Sequence, residues 1–215
     1  MPVRSLPFVN EEYYHIFNRG VAKIPIYYSP KDYKRFVESM VYYQLEGPKP
    51  RFSLFNSKNT ILNPANKIID FISYCLMPNH FHFLVQQTKE NGVSELVSKL
   101  TNSYTKYFNT KNRRSGHLFQ GMFKAVHIET NEQLLHVSRY IHLNPVTNYV
   151  AKDLDSYPWS SFHEYTTNSQ TNICSKDIIL EQFKSQKDYK SFILEQEDYA
   201  KKLEIIKHQL LDFED

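Results

Sequence analysis

Residues Phe71 to Gln86 read FISYCLMPNHFHFLVQ. Two apolar runs, FISYCLM and FHFLV, lie on either side of Pro78-Asn79. β-branched and aromatic residues are frequent in both, which predicts strands rather than a helix. Pro78 has no N–H to give to a sheet ladder, so it marks a bend or a strand start. His80 and His82 follow it directly. Residues two apart on a strand point to the same face. The two imidazoles therefore sit side by side, while Phe81 and Phe83 turn to the core. Neighbouring imidazoles on a rigid strand are a ready pair of metal ligands. Taken alone, His-x-His is more often a pair of half-buried sheet histidines, so the rest of the chain has to decide.

Upstream, Tyr13 to Asn18 reads as a strand closed by Arg19-Gly20, with Tyr13, His15 and Phe17 on one face and Tyr14, Ile16 and Asn18 on the other. His15 reads as a structural strand residue, and Gly20 as the residue that permits the turn. Arg19, at the strand end, suits a phosphate or solvent equally. Ser29-Pro30 opens a helix, Ser29 as N-cap and Pro30 in the first turn. Tyr33, Phe36, Val37, Met40 and Val41 give it an apolar stripe. Arg51 to Asn66 reads as a further strand with a polar loop. Downstream, a helix starts at Ser94, carrying Leu96, Val97, Leu100, Tyr104, Tyr107 and Phe108 inward and Lys106 among its polar residues.

Thr110 to Lys124 is a basic loop, TKNRRSGHLFQGMFK. Lys111, Arg113, Arg114, His117 and Lys124 alternate there with Phe119 and Phe123. Cations with interleaved rings suit single-stranded nucleic acid, charge for the phosphates and rings for the bases. A solvated loop pinned by two core phenylalanines is the competing reading. Ala125 to Glu129 forms a last strand. Thr130 or Asn131 then caps a helix to about Leu143, with Pro145 ending it. On this helix Tyr140 and Asn144 are one turn apart and face the same target.

The 215 residues suit one domain and an appendage, and 41% apolar with 15% aromatic residues is a globular composition. Net charge is +3 but uneven: residues 1–173 carry +6, and residues 174–215 carry −3. A basic body fits a polyanionic partner. Cys75 and Cys174 show no metal spacing and read as reduced thiols of a cytoplasmic protein. No signal peptide is visible and no apolar run reaches a membrane span. Residues 166–176 are rich in Thr, Asn and Ser and read as a linker to a polar helical extension.

His80, His82, Tyr140 and Asn144 form one constellation. Two imidazoles and an amide oxygen can hold a divalent cation that polarises a phosphate. A tyrosine one turn from the third ligand could then attack phosphorus. His80-Phe81-His82 is a His-hydrophobe-His motif, and with RYIHLNPV it resembles the single-tyrosine HUH transposases, most closely the REP-associated tyrosine transposases. The resemblance runs from YHIFNRG through MPNHFHFLV, GHLFQGMFK and RYIHLNPV to YPWSSF. It implies an α+β fold, a ferredoxin-like antiparallel sheet with helices packed on one face, over residues 1–165. Residues 166–215 would then be a linker and a helical C-terminal extension outside the catalytic core.

The same resemblance implies metal binding by His80, His82 and Asn144, with Mg²⁺ or Mn²⁺ as cofactor, and Tyr140 as nucleophile. It implies cleavage of single-stranded DNA near a hairpin through a 5′-phosphotyrosine, then rejoining to another 3′-OH. Arg19, Lys106, Lys111, Arg113, Arg114, His117 and Lys124 are the expected DNA contacts. A homodimer is possible. Met122 stands where relatives often carry Arg. A hairpin-binding regulator that does not cleave is the alternative, and an unrelated His-x-His hydrolase a weaker one with no use for Tyr140.

Overall fold

Alternation along Tyr13 to Arg19 sorts this segment into two faces, with Tyr14, Ile16 and Asn18 buried and the residues between them half-buried or exposed. The computed structural model describes residues 7–47, 52–55, 66–167 and 173–195. In it β1 (Tyr13–Arg19), α1 (Pro30–Tyr43), β2 (Ile69–Met77), β3 (His80–Gln87), α2 (Gly92–Lys111) and β4 (Lys124–Ile128) follow in a β-α-β-β-α-β order. The strands form one antiparallel sheet in the order β2-β3-β1-β4. This is the ferredoxin-like arrangement that the resemblance implies. α3 (Asn131–Thr147), α4 (Phe162–Thr166), α5 (Asp177–Leu180) and α6 (Gln186–Leu194) follow.

Phe81 and Phe83 lie on the face covered by α1 and α2. Their rings pack on Phe36 of α1, with centroids 5.6 and 6.3 Å away, and Phe36 meets Tyr104 of α2 edge-on at 4.9 Å. All four rings are buried. Burying a Phe side chain contributes about 1.5–3 kcal/mol, so this cluster is a main attachment of the helices to the sheet. Tyr104 also donates from its hydroxyl to Ile26 O at 2.6 Å, and Tyr107 to Asp32 Oδ1 at 2.9 Å. Both tyrosines thus belong to the core side. α1 and α2 share one face as expected, and α3 adds a layer over the opposite face, where it meets β2, β3 and β4.

Four local expectations are corrected. No strand forms in the described part of residues 51–66. Phe52–Leu54 is a turn of 3₁₀ helix, with Phe52 packed on Tyr42 at 5.0 Å, and the rest of that stretch lies outside the described residues. The outer edge of β2, where such a strand could pair, is taken by later chain. Leu76 N–H donates to Trp159 O, Ser161 N–H to Tyr74 O, and Ser175 N–H to Phe71 O, at 2.8–3.0 Å. Second, α2 begins at Gly92 rather than Ser94, because Gly92 lies hard against β2's approach. A Cβ there would stand 2.0 Å from Ile68 O.

Third, α3 does not end before Pro145 but runs through it to Thr147. The missing N–H removes one helical bond. Burial of Pro145, Val146 and Thr147 offsets that loss, and Pro145 O accepts from Val150 and Ala151 N–H at 2.8 and 2.9 Å. Gly20 also serves differently from the expectation. Its φ is −61°, and its use is close approach, since a Cβ would meet Ile24 O at 2.3 Å.

The described end of the expected linker runs along the sheet. Ile173 and Cys174 are buried, and their N–H groups donate to the buried carboxylate of Glu164 at 3.0 and 3.1 Å. Beyond it, Ile179, Tyr189 and Ile193 are fully buried against the body. Residues 196–215, including the apolar positions Leu203 and Ile206, lie outside the described residues. Among the described residues, no helix is long and apolar enough to cross a membrane.

Candidate active site

Pro78-Asn79 is the two-residue turn of the β2–β3 hairpin, so Pro78 is spared any ladder duty and His80 opens β3. Pairing of β3 with β1 then sets His80 opposite Arg19, and His82 opposite Phe17. Pairing of β1 with β4 sets Phe17 opposite Lys124 and His15 opposite Val126. Cross-strand partners share a face. Arg19, His80, Phe17, His82, His15, Lys124 and Val126 therefore share the face opposite the Phe81–Phe83 core. Tyr140 of α3 stands over it. Its ring meets His82 edge-on at 5.5 Å and His15 at 5.9 Å, and it is 42% exposed.

Each histidine of the pair is held through Nδ1. His80 Nδ1 lies 2.6 Å from Asn79 Oδ1, while Asn79 Nδ2 donates to Lys23 O at 3.2 Å. His82 Nδ1 lies 2.9 Å from His15 Nε2. The His80 and His82 ring centroids are 4.9 Å apart. Burial, with His80 and His15 alongside, holds His82 well below the usual imidazole range, and burial pushes His15 down to about 4. His15 and His82 are thus neutral near pH 7, the form that ligates a metal.

α3 is started by Thr130, whose side chain accepts from Gln133 N–H, which fixes the register that sets Tyr140 over His82. Asn144, one turn on, is buried. Its Nδ2 donates to Tyr140 O at 2.9 Å, and its Oδ1 accepts from Asn148 Nδ2 at 3.3 Å with a second lone pair remaining. By donor type, the two imidazoles of His80 and His82 and the amide oxygen of Asn144 suit a divalent cation. The two rings are fixed at Nδ1, and the amide nitrogen is tied to the backbone. Among the described residues no group of three or more His, Cys, Asp or Glu could hold a metal. A cation here would rest on two imidazoles and an amide oxygen, with substrate oxygens completing its shell.

The expected DNA contacts divide. Arg19 and Lys124 are exposed and flank the histidines on their own face, and Arg19 Nε donates to Gln120 Oε1 at 2.5 Å. Lys111 sits on the other side, its Nζ 2.5 Å from the fully buried Asp32 carboxylate. Arg114 is spent on the loop itself, donating to Asn109 Oδ1 at 2.9 Å and His117 O at 2.6 Å. Arg113 and His117 are exposed at the loop tip, and Lys106 is exposed on α2. A cleft of about 440 Å³ between α2 and residues 117–123, lined by Asn18, Ser98, Thr101, Phe119 and Met122, opens on the α2 face, away from Tyr140.

His15 is the neighbour that sequence reading missed. Its face was legible from alternation, but its meeting with His82 depends on the β1–β3 register. That pairing makes the two residues diagonal neighbours.

Comparison with known proteins agrees with this geometry. The family model described as "Transposase IS200 like" matches residues 59–144, a span that includes His80, His82, Tyr140 and Asn144. No curated protein matches. A solved structure described as that of a REP-associated tyrosine transposase bound to a REP hairpin superposes with a TM-score of 0.55 at 14% identity, covering 80% of this chain and 90% of that one. The resemblance carried by the motifs thus stands, in a family model and in the fold: this chain is similar to the IS200-like, single-tyrosine transposases.

Proposed function

We propose that this protein is a metal-dependent transposase that nicks and rejoins single-stranded DNA beside a hairpin, with Tyr140 as nucleophile. The observation that carries the reading is Tyr140 standing over His82, with Asn144 one helical turn beyond it. The Tyr140 oxygen attacks phosphorus and the bond to the 3′ oxygen breaks. The phenol proton passes to solvent, and the departing 3′ oxygen takes one up. The products are a 5′-phosphotyrosine and a free 3′-OH, and reversal onto another 3′-OH rejoins the strand. A divalent cation, Mg²⁺ or Mn²⁺, held by His80, His82 and Asn144 would neutralise charge on the phosphate and favour the phenolate. Arg19 and Lys124, on the same face, steer the strand across the site. The hairpin preference draws support from the superposed transposase, which is bound to one.

The test is incubation of the protein with hairpin-bearing single-stranded DNA and Mn²⁺, followed by denaturing electrophoresis and peptide mapping. A covalent adduct at Tyr140 is expected. Tyr140→Phe should abolish it and leave hairpin binding within about twofold, because the ring that stands over His82 is kept and changes at exposed positions are worth at most ~0.5 kcal/mol. An adduct on Tyr104 or Tyr107 would sink the assignment. Hairpin binding with no adduct at all would instead favour the non-cleaving regulator.

A further inference from the structure

The two histidines of the site are oriented by different kinds of partner. Asn79 is itself fixed: its Nδ2 is committed to Lys23 O, so the atom facing His80 Nδ1 is its carbonyl oxygen, an acceptor. His80 therefore carries its proton on Nδ1 and presents Nε2. His82 has no such one-way partner. Its Nδ1 faces His15 Nε2 at 2.9 Å, and a neutral imidazole nitrogen can either donate or accept. If His15 Nε2 donates, His82 bears its proton on Nε2 and cannot ligate there. If His15 Nε2 accepts, His82 bears its proton on Nδ1, and Nε2 offers its lone pair.

We propose that His15 is a positioning residue that accepts the Nδ1 proton of His82 and so keeps His82 in the tautomer that ligates through Nε2. This rests on the reading of His80 and His82 as the metal pair. Three contacts hold His15 to the task. Its ring lies 5.2 Å from His82 and nearly parallel to it, 5.1 Å from Phe17, and 5.9 Å from Tyr140. One side chain on β1 thus touches both His82 and Tyr140, so the strand, the hairpin and α3 meet at a single ring. Groups that donate or accept at the far nitrogen of a ligating histidine fix its orientation, and losing one costs about 10–100-fold in metal affinity.

The first measurement uses the unaltered full chain. Long-range ¹H–¹⁵N spectra of the imidazoles report which nitrogen bears each proton. The expected result is His82 protonated at Nδ1, with His15 Nε2 unprotonated. The second is Mn²⁺ titration of the protein alone, following the free ion by electron paramagnetic resonance. His15→Phe keeps a ring but removes the acceptor, and should weaken Mn²⁺ binding about 10–100-fold. His15→Gln places an amide oxygen near the position of Nε2 and should restore most of it.

The inference is overturned by a His82 Nε2–H tautomer in the metal-free protein, which needs no variant to fold. It is also overturned if His15→Phe binds Mn²⁺ normally while His82→Ala does not. Mn²⁺ binding indifferent to both His80→Ala and His82→Ala is a different failure, since it removes the metal pair itself and the proposed function with it.

Discussion

Among residues, chemical type alone decided little, and position decided much. His80 and His82 were legible because a period of two is a property of one strand. Lys111 looked like the other cations of its loop, yet its ammonium is held by a carboxylate buried under Tyr28, Ser29 and Tyr107. A basic run in sequence does not reveal which members already have a partner. The consequence can be measured. Log affinity for a single strand falls with log salt at about 0.7 per phosphate contact. Arg19→Gln with Lys124→Gln should lower that slope by roughly 1.4 for two contacts. Lys111→Gln should leave the slope unchanged and lower the melting temperature, because Asp32 would be left without its cation. Fluorescence anisotropy across a salt series, with melting curves beside it, checks both. Equal slopes in the double variant and the parent would place the strand on another face.

Among elements, interiors were read more accurately than ends. Each of the four observed strands and the three long helices was expected, because alternation and helical spacing persist over many residues. The ends depend on what lies across a gap. α2 starts two residues before the Ser94 boundary because Gly92 lets its first turn touch β2, and the sequence around Gly92 carries no trace of Ile68 O. Pro145 reads as a stop, and only the burial of its neighbours keeps the helix going. Gly92→Ala should therefore destabilise the fold strongly, by about 1–3 kcal/mol as for other forced overpacking. The obstacle is backbone rather than a side chain that can swing away. Gly116→Ala offers the contrast. Nothing lies within 4 Å of its added Cβ, so its cost is confined to the backbone strain of a φ of +85°. Urea unfolding of the two variants should rank Gly92→Ala as the more damaging, and parity between them would mean that α2 can shift away from β2 without loss.

Over the whole molecule, the antiparallel sheet and the shared strand face of His80 and His82 were legible from motifs in series, but the contacts of the C-terminal segment were not. Its composition is polar, its charge is opposite to that of the body, and its apolar positions are sparse. These features suggested an accessory outside the catalytic core, its helices docked on the body or on a second subunit. The structure runs α6 against α3 through Phe192, whose ring lies 3.5 Å from the Arg139 guanidinium, and through Tyr189. The Tyr189 hydroxyl lies 2.8 Å from Ser138 Oγ and 2.8 Å from His142 Nδ1, and His142 Nε2 lies 2.7 Å from Ser161 Oγ. All four side chains are buried. Ser138 and His142 bracket Tyr140 on α3, so the described part of the segment braces the back of α3 while its front faces the histidines. A tyrosine in a polar stretch gave no sign of this, because its partners lie far away in the chain. Truncation after Thr167 should accordingly yield a chain that melts at lower temperature or does not fold, with nicking lost. Tyr189→Phe isolates the brace: it keeps the ring and leaves buried polar partners unmatched, at about 1–3 kcal/mol. Denaturant unfolding measures that cost, and nicking below the unfolding transition tests whether α3 is misplaced as well as loosened. A truncated chain that melts with the parent and nicks at its rate would show that α3 needs no support from behind.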